Sequence, residues 1–438
     1  MSVDVAPLVA IERLVQQQAS SLPADLEPDE HDRELRTLIE AEIDRWQADS
    51  RRGLRPFEVA DPETLGSRVF RNIARFGPLT SLLDDDDVWE IMINAPEAIF
   101  VKRHSGPNGY HDEVFLDDDH VVRTLTRMLD GSTGAHRKLD PSEGLQDAQL
   151  DDGARLHIVH GDLSRGGHVM VNIRKFTGVA FTSLDQLVDR RMMTRQVADF
   201  LAACVRARRT IVFSGAPGSG KTTLLSCCAG ELDPSLRVVV AEEVFEADVP
   251  VANVASMQTR APRVDRPGID LRRLVAGFLR MAPDIAIVGE VRDREALPLL
   301  LTLSSGVKGF TTIHAGSARQ ALTRLRFVCQ LADAASELPM SALNALVSET
   351  IDLVVHTERT PDGPRVTSVI AVEDLAGGAD AAQFTVTELF ECPSRTADLA
   401  WTGLVPARLT AALAVEGIDA RDLFGCSPEA RTDGAATP

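Results

Sequence analysis

Residues 209–225 read RTIVFSGAPGSGKTTLL, and this stretch leaves the chain little freedom in what it can build. Ile211, Val212 and Phe213 are long enough for one buried strand. The run stops at Gly215, small residues and Pro217 follow, and Lys221, Thr222, Thr223, Leu224 and Leu225 open a helix. The order is strand, glycine loop, helix. Gly215, Gly220, Lys221 and Thr222 fill every fixed position of the spacing G-x-x-x-x-G-K-T, which a chance glycine turn does not require. A loop of this kind, here Gly215, Ala216, Pro217, Gly218, Ser219, Gly220, Lys221, Thr222 and Thr223, turns backbone N–H groups toward anionic oxygens. Lys221 then reaches the β- and γ-phosphates of a nucleotide and the Thr222 hydroxyl takes a place on Mg²⁺.

The chain downstream alternates. Strands are expected at 237–241, 285–288 and 310–313, and helices at 270–281, 294–304, 318–332 and 343–351. Such alternation predicts a doubly wound parallel sheet with ligands at the carboxyl ends of its strands. Residues 353–356 and 366–372, around the turn Pro361-Asp362-Gly363-Pro364, read as two added edge strands.

Upstream, residues 61–176 read as a smaller α+β domain, with helices around 65–76 and 120–130 and strands in 88–103, 154–159 and 168–176. The aspartates 84–87 suit a solvated, capping turn better than a metal site. Residues 131–152 read as a polar loop, 1–60 as an acidic arm with a loosely attached helix over 34–46, and 177–208 as a linker with helices. That leaves 209–375 for the phosphate-loop domain and 376–438 for a carboxyl-terminal extension ending in a disordered tail.

Forty-six basic against 65 acidic residues give a net charge of -19, which argues against a chain whose whole surface grips nucleic acid. The six cysteines show neither C-x-x-C pairs nor histidines at metal spacing. No apolar run approaches the ~20 residues of a membrane span, and no leader-like pattern follows Met1, so a cytoplasmic, at most peripheral, location is expected.

Three boxes after strands carry further chemistry. Glu290 follows Ile285-Ala286-Ile287-Val288-Gly289, where a carboxylate can orient water. Gly289 stands where other P-loop ATPases usually have Asp. Glu242, Glu243 and Glu246 follow the strand at 237–241, and Thr222, Glu242 and Glu290 are the candidate Mg²⁺ contacts. His314, after Thr311-Thr312-Ile313, is a candidate γ-phosphate sensor.

Taken together, GAPGSGKTT, AEEVFE, LRMAPDIAIVGEVRDREAL and GFTTIHAGSARQALTRL resemble the secretion and pilus-assembly ATPases of the type II/type IV superfamily. The CpaF-type branch, which powers tight-adherence (Flp) pili, is the most similar, and FGPLTSLLDDDDVWEIMINAPEAIFVKR, GARLHIV and VNIRKF resemble its amino-terminal domain. The resemblance implies a RecA-like P-loop domain after a PAS-like domain, ATP and Mg²⁺ as cofactors, and a homo-hexameric ring. That ring would push on an inner-membrane platform protein from the cytoplasmic face. It also implies arginines brought to the triphosphate, for which Arg155, Arg174 and Arg260 are the candidates, and catalytic roles for Lys221, Glu243, Glu290 and His314. Two departures stand out: Glu243 occupies the place of the usual Asp in the acidic box, and Gly316 that of a common Asn. Competing readings are a type IV secretion or conjugation ATPase, a type II secretion ATPase, a nucleic-acid translocase, and a nucleotide-gated scaffold that barely hydrolyses ATP.

Overall fold

A computed structural model describes residues 5–23, 26–104, 106–132, 138–175, 181–260, 267–331, 338–375, 383–392 and 397–423. The expected linker start at 177–180 and the tail at 427–438 lie outside them. The chain divides into two compact units, 1–177 and 178–438.

The first unit opens with three helices, α1 (Val5–Ala19), α2 (Pro28–Arg51) and α3 (Pro62–Ala74). The sequence suggested one loosely attached helix here, whereas Leu8, Ile11 and Val15 of α1 pack with Leu35, Ile39, Ile43 and Trp46 of α2 in one core. The spacing of three and four residues puts each set on one helical face. That core continues onto Val69 and Phe70 of α3, so the arm is packed rather than loose. After the short α4 (Thr80–Asp84) come β1 (Val88–Ala95), β2 (Ala98–Arg103), β3 (Gly109–Tyr110), α5 (Asp118–Asp130), β4 (Leu145–Gln149), β5 (Arg155–Val159) and β6 (Met170–Arg174). They form one sheet in the order β3-β2-β1-β6-β5-β4, every neighbour antiparallel. α5 buries Val121, Leu125, Met128 and Leu129 into the core shared with Ile91, Ile93, Leu156 and Ile173. β4 was read as loop because Gln146 takes an inward position. It is buried, and its amide is satisfied by accepting from Asp140 N at 3.0 Å and donating to Lys138 O at 2.9 Å. The aspartate run is a turn pinned by cations: Lys175 Nζ donates to the carbonyls of Leu82 and Asp85, and Arg103 pairs with Asp85.

The second unit contains α6 (Leu184–Asp189), α7 (Arg195–Arg206), β7 (Ile211–Gly215), α8 (Lys221–Ala229), β8 (Val238–Glu242), β9 (Val254–Gln258), α9 (Leu271–Val275), β10 (Ile285–Val291), α10 (Ala296–Ser304), β11 (Lys308–Ile313), α11 (Ala318–Gln330) and α12 (Met340–Thr350). β12 (Leu353–Thr360), β13 (Gly363–Val372), β14 (Val386–Glu391), β15 (Ala400–Trp401), α13 (Ala407–Val415) and α14 (Ala420–Leu423) complete it. The sheet is mixed, in the order β15-β14-β13-β12-β7-β11-β10-β8-β9. The six strands from β12 to β9 run parallel and the remaining three antiparallel.

Alternate residues of the parallel strands feed two cores. Ile211, Phe213, Val238 and Val240 join α7 and α8 on one face, while Val212, Val239 and Ala241 join α9 to α12 on the other. Helices therefore cover both faces, and buried parallel strands read as continuous apolar runs. This corrects the placement of residues 353–356 at an edge. β12 is interior, hydrogen-bonded parallel to β7 and antiparallel to β13. The expected helix at 270–281 is also corrected: it breaks after Val275 into a 3₁₀ turn at Phe278–Met281, and Ala282 ends it at φ 52°. Leu279, placed on the buried face by helical spacing, is 54% exposed as a result.

Candidate nucleotide site

In parallel strands every carboxyl end lies on one edge of the sheet, so strand order decides which loops meet. Along that edge the order β12, β7, β11, β10, β8 brings together Thr357, the 215–220 loop, His314, Glu290 and Glu242. Gly220 is the N-cap of α8 at φ 85°, a conformation that side chains with a Cβ avoid. No side chain caps α8 and no acid stands in its first turn, so the partial positive charge of its N-terminus is open to an anion. Lys221 starts that turn, buried, with Nζ donating to the Ala216 carbonyl at 2.9 Å and lying 3.2 Å from His314 Nδ1.

The other ring nitrogen of His314, Nε2, is 3.1 Å from Glu290 Oε1. With the proton on Nε2, His314 donates to Glu290 and accepts from Lys221; Nδ1 also lies 3.2 Å from the Gly215 carbonyl, which a proton on Nδ1 would serve instead. Glu290 reaches His314 because β10 is irregular there. Val288 pairs with Thr311 and Val291 with Ile313, so β10 carries one extra residue at Gly289-Glu290. Such a bulge re-aims a side chain, and the buried Thr312 hydroxyl braces it by donating to the Gly289 carbonyl at 2.7 Å.

Arg292 is the site residue that motif reading missed. Its guanidinium grips both oxygens of Glu290, Nε to Oε1 at 2.6 Å and Nη2 to Oε2 at 3.1 Å, and its Nη1 reaches Glu243 Oε2 at 2.8 Å. The available signal was spacing, since residues two apart on extended chain share a face. Burial pushes the Glu290 carboxyl upward, but the hydrogen bonds from His314 and Arg292 outweigh it and hold the group at about 2.

Glu243 thus joins the cluster through Arg292, while Glu242 is turned inward. Its Oε1 accepts from the backbone N–H groups of Glu246 at 3.1 Å and Ala247 at 2.9 Å. The buried Glu242 side chain lies flat on Gly289, where an added Cβ would sit 2.8 Å from Cγ. That contact accounts for glycine where other P-loop ATPases carry Asp.

Among the described residues no set of three or more His, Cys, Asp or Glu is arranged to hold a metal. Mg²⁺ that arrives on a nucleotide keeps its waters and takes one or two protein oxygens beside phosphates. The Thr222 hydroxyl, on the first turn of α8, and the Glu290 carboxylate would hold it, while Glu242, the third expected contact, has its Oε1 turned to the backbone N–H groups of Glu246 and Ala247.

Of the candidate arginines, Arg260 alone belongs to this unit, and it lies away from the loop. Arg260 follows β9, four strand steps or about 19 Å from β7, and its guanidinium donates to the Pro267 carbonyl at 3.1 Å. Arg155 and Arg174 belong to the first unit, directly opposite each other across β5 and β6, with Glu90 opposite Arg174 on β1.

Residues 72–366, well over half the chain, match the family described as Type II/IV secretion system protein. The chain belongs to that family. Among curated members, the conjugal transfer protein TrbB of Rhizobium radiobacter is 33% identical over 306 residues, covering 66% of this chain and 85% of TrbB. The type IV secretion system protein PtlH of Bordetella pertussis is 32% identical over 303 residues, covering 63% of this chain and 87% of PtlH. Among solved structures, the VirB11 ATPase of the Brucella suis type IV secretion system is 25% identical, with a TM-score of 0.36 over 67% of this chain and 94% of VirB11. The family expectation holds at the level of the superfamily. TrbB and PtlH are named for conjugal transfer and type IV secretion, the competing reading, rather than for tight-adherence pili.

Proposed function

We propose that this family member is a Mg²⁺-dependent ATP hydrolase that powers a type IV secretion or conjugal transfer apparatus. The carrying observation is the chain of contacts from Lys221 through His314 to Glu290 at the carboxyl ends of three neighbouring parallel strands, β7, β11 and β10. Lys221 and the N-terminus of α8 bind the phosphates, and His314 reports the terminal one to Glu290. Bound Mg²⁺ supplies charge neutralisation on the phosphate oxygens. Glu290, held ionised by His314 and Arg292, is a weak proton acceptor near neutral pH and a well-fixed hydrogen-bond acceptor, so its role is to orient water rather than to deprotonate it fully.

The remaining assignments follow the resemblance: a RecA-like domain behind a PAS-like one, a homo-hexamer, and work done on a membrane platform protein from the cytoplasmic face. No helix among the described residues is long and apolar enough to cross a membrane. Arg155 and Arg174, side by side on adjacent strands, are the arginines we assign to the triphosphate. A tight-adherence pilus motor is the second reading, favoured by the GAPGSGKTT, AEEVFE and GFTTIHAG boxes and the upstream segments. Genes beside this one separate the two: short pilin-like frames with a polytopic membrane protein support the pilus, and conjugation genes support secretion. The activity itself is tested by phosphate release from Mg²⁺-ATP, abolished in Lys221→Ala. Stimulation by DNA that fades with salt would instead support a nucleic-acid translocase.

A further inference from the structure

The phosphate loop has two flanks. On one, β11 and β10 present His314 and Glu290; on the other, β12 runs parallel to β7 as far as the pairing of Thr357 with Gly215. The second flank is joined to the loop by side chains. Thr357 Oγ1 lies 2.9 Å from Ser219 Oγ, His356 Nδ1 lies 2.9 Å from Ser214 Oγ, and Arg359 Nη1 donates to the Gly218 carbonyl at 3.2 Å. The β12–β13 hairpin also closes on the start of α8, where an added Cβ on Gly220 would sit 3.1 Å from Pro364 Cβ.

Resting on the nucleotide reading above, these two flanks give the ligand a direction. The phosphate that is cleaved must face Glu290, so the opposite end of the nucleotide leaves the loop over β12 and its hairpin. His356 and Thr357 are buried there and engaged with the loop, whereas Glu358 and Arg359 are exposed. A carboxylate offers nothing to the face of a purine. A guanidinium is planar, weakly hydrated and suited to stacking on an aromatic ring.

We infer that Arg359 is a substrate-binding residue that stacks on the purine of the bound nucleotide, with the β12–β13 hairpin as the nucleoside end of the site. Arg359 would thereby contribute to affinity for nucleosides over bare phosphate chains, and not to the cleavage step.

The test compares the full chain with Arg359→Ala by calorimetric titration with Mg²⁺-ADP, Mg²⁺-ATP under non-turnover conditions, and Mg²⁺-tripolyphosphate. Arg359→Ala is expected to weaken both nucleotides about tenfold, to leave tripolyphosphate affinity unchanged, and to raise KM with kcat intact. A melting temperature equal to that of the parent shows that the variant is folded. Equal loss for all three ligands overturns the inference, because Arg359 would then only prop the loop through the Gly218 carbonyl. Unchanged nucleotide affinity overturns it as well. A parent chain that binds neither nucleotide nor tripolyphosphate overturns the nucleotide reading itself, and this inference with it.

Discussion

Gly289→Ala tests whether the packing of Glu242 on the bulge of β10 is as tight as it looks. The added Cβ would sit 2.8 Å from Glu242 Cγ and 2.9 Å from its Oε1, against 3.4–4 Å for an ordinary contact. Glu242 is 3% exposed, and its Oε1 holds two backbone N–H groups, so it cannot withdraw without loosening them. Overpacking of this kind costs about 1–3 kcal/mol, and weakening the two hydrogen bonds adds about 1 kcal/mol. A loss of about 2–4 kcal/mol is therefore expected, seen as a melting temperature lower by about 5–15 °C. The decisive assay is a double-mutant cycle with Glu242→Ala, which makes the missing room. In that background Gly289→Ala is expected to cost less than about 1 kcal/mol, a coupling of about 2 kcal/mol. Full additivity of the two substitutions would refute the packing argument. The same reasoning makes Gly289→Asp worse than Gly289→Ala, since it sets a second carboxylate against Glu242.

Three further substitutions probe other parts of the chain. Thr312→Val removes the hydroxyl that braces the Gly289 carbonyl; it should cost about 1–2 kcal/mol in chemical denaturation and lower kcat with little change in KM. Arg292→Ala leaves burial of Glu290 opposed by His314 without the guanidinium. Because the parent carboxyl is depressed from 4.5 to about 2, the stability it contributes is present above 4.5 and lost as pH falls through about 2. The parent's advantage over Arg292→Ala in a pH series of melts should shrink in that window. Glu12, buried in the α1–α3 core region, has the opposite sign: burial raises its carboxyl above 4.5, partly offset by the hydrogen bond from Asn72. Both states bind the proton well below 4.5, and the cost of ionising it grows as pH rises through its folded value. Glu12→Gln should accordingly be more stable than the parent at pH 7 and lose that advantage at low pH, again read by melting.

The parts of the fold that sequence made legible share a cause. Ile211 to Phe213 and Ile285 to Val288 are buried on both faces, so composition alone announces parallel strands, and the residues just after them must share one edge. That is why Lys221, His314 and Glu290, far apart in the chain, could be named together and are found in contact. Leu353-Val354-Val355 carries the same apolar signature, yet proximity to a hairpin turn drew it to the edge of the sheet. β4 was hidden because one inward residue is a satisfied glutamine, and β9 because its strand at the sheet edge buries little. Arg292 escaped because an arginine after a strand usually faces water; its capture by two glutamates depends on the bulge, which a linear reading does not reveal. Local spacing also failed at 270–281, where Gly277 interrupts an otherwise helical pattern.

Glu290→Gln reaches the centre of the account. The substitution keeps size and one acceptor oxygen while removing the charge that orients water and replacing the second oxygen that Arg292 holds with a donor. Measured side by side, Mg²⁺-ATP binding should persist within about threefold, and turnover should fall by at least about a hundredfold. Turnover that survives in Glu290→Gln, or a parent chain with no affinity for Mg²⁺-ATP, would contradict it.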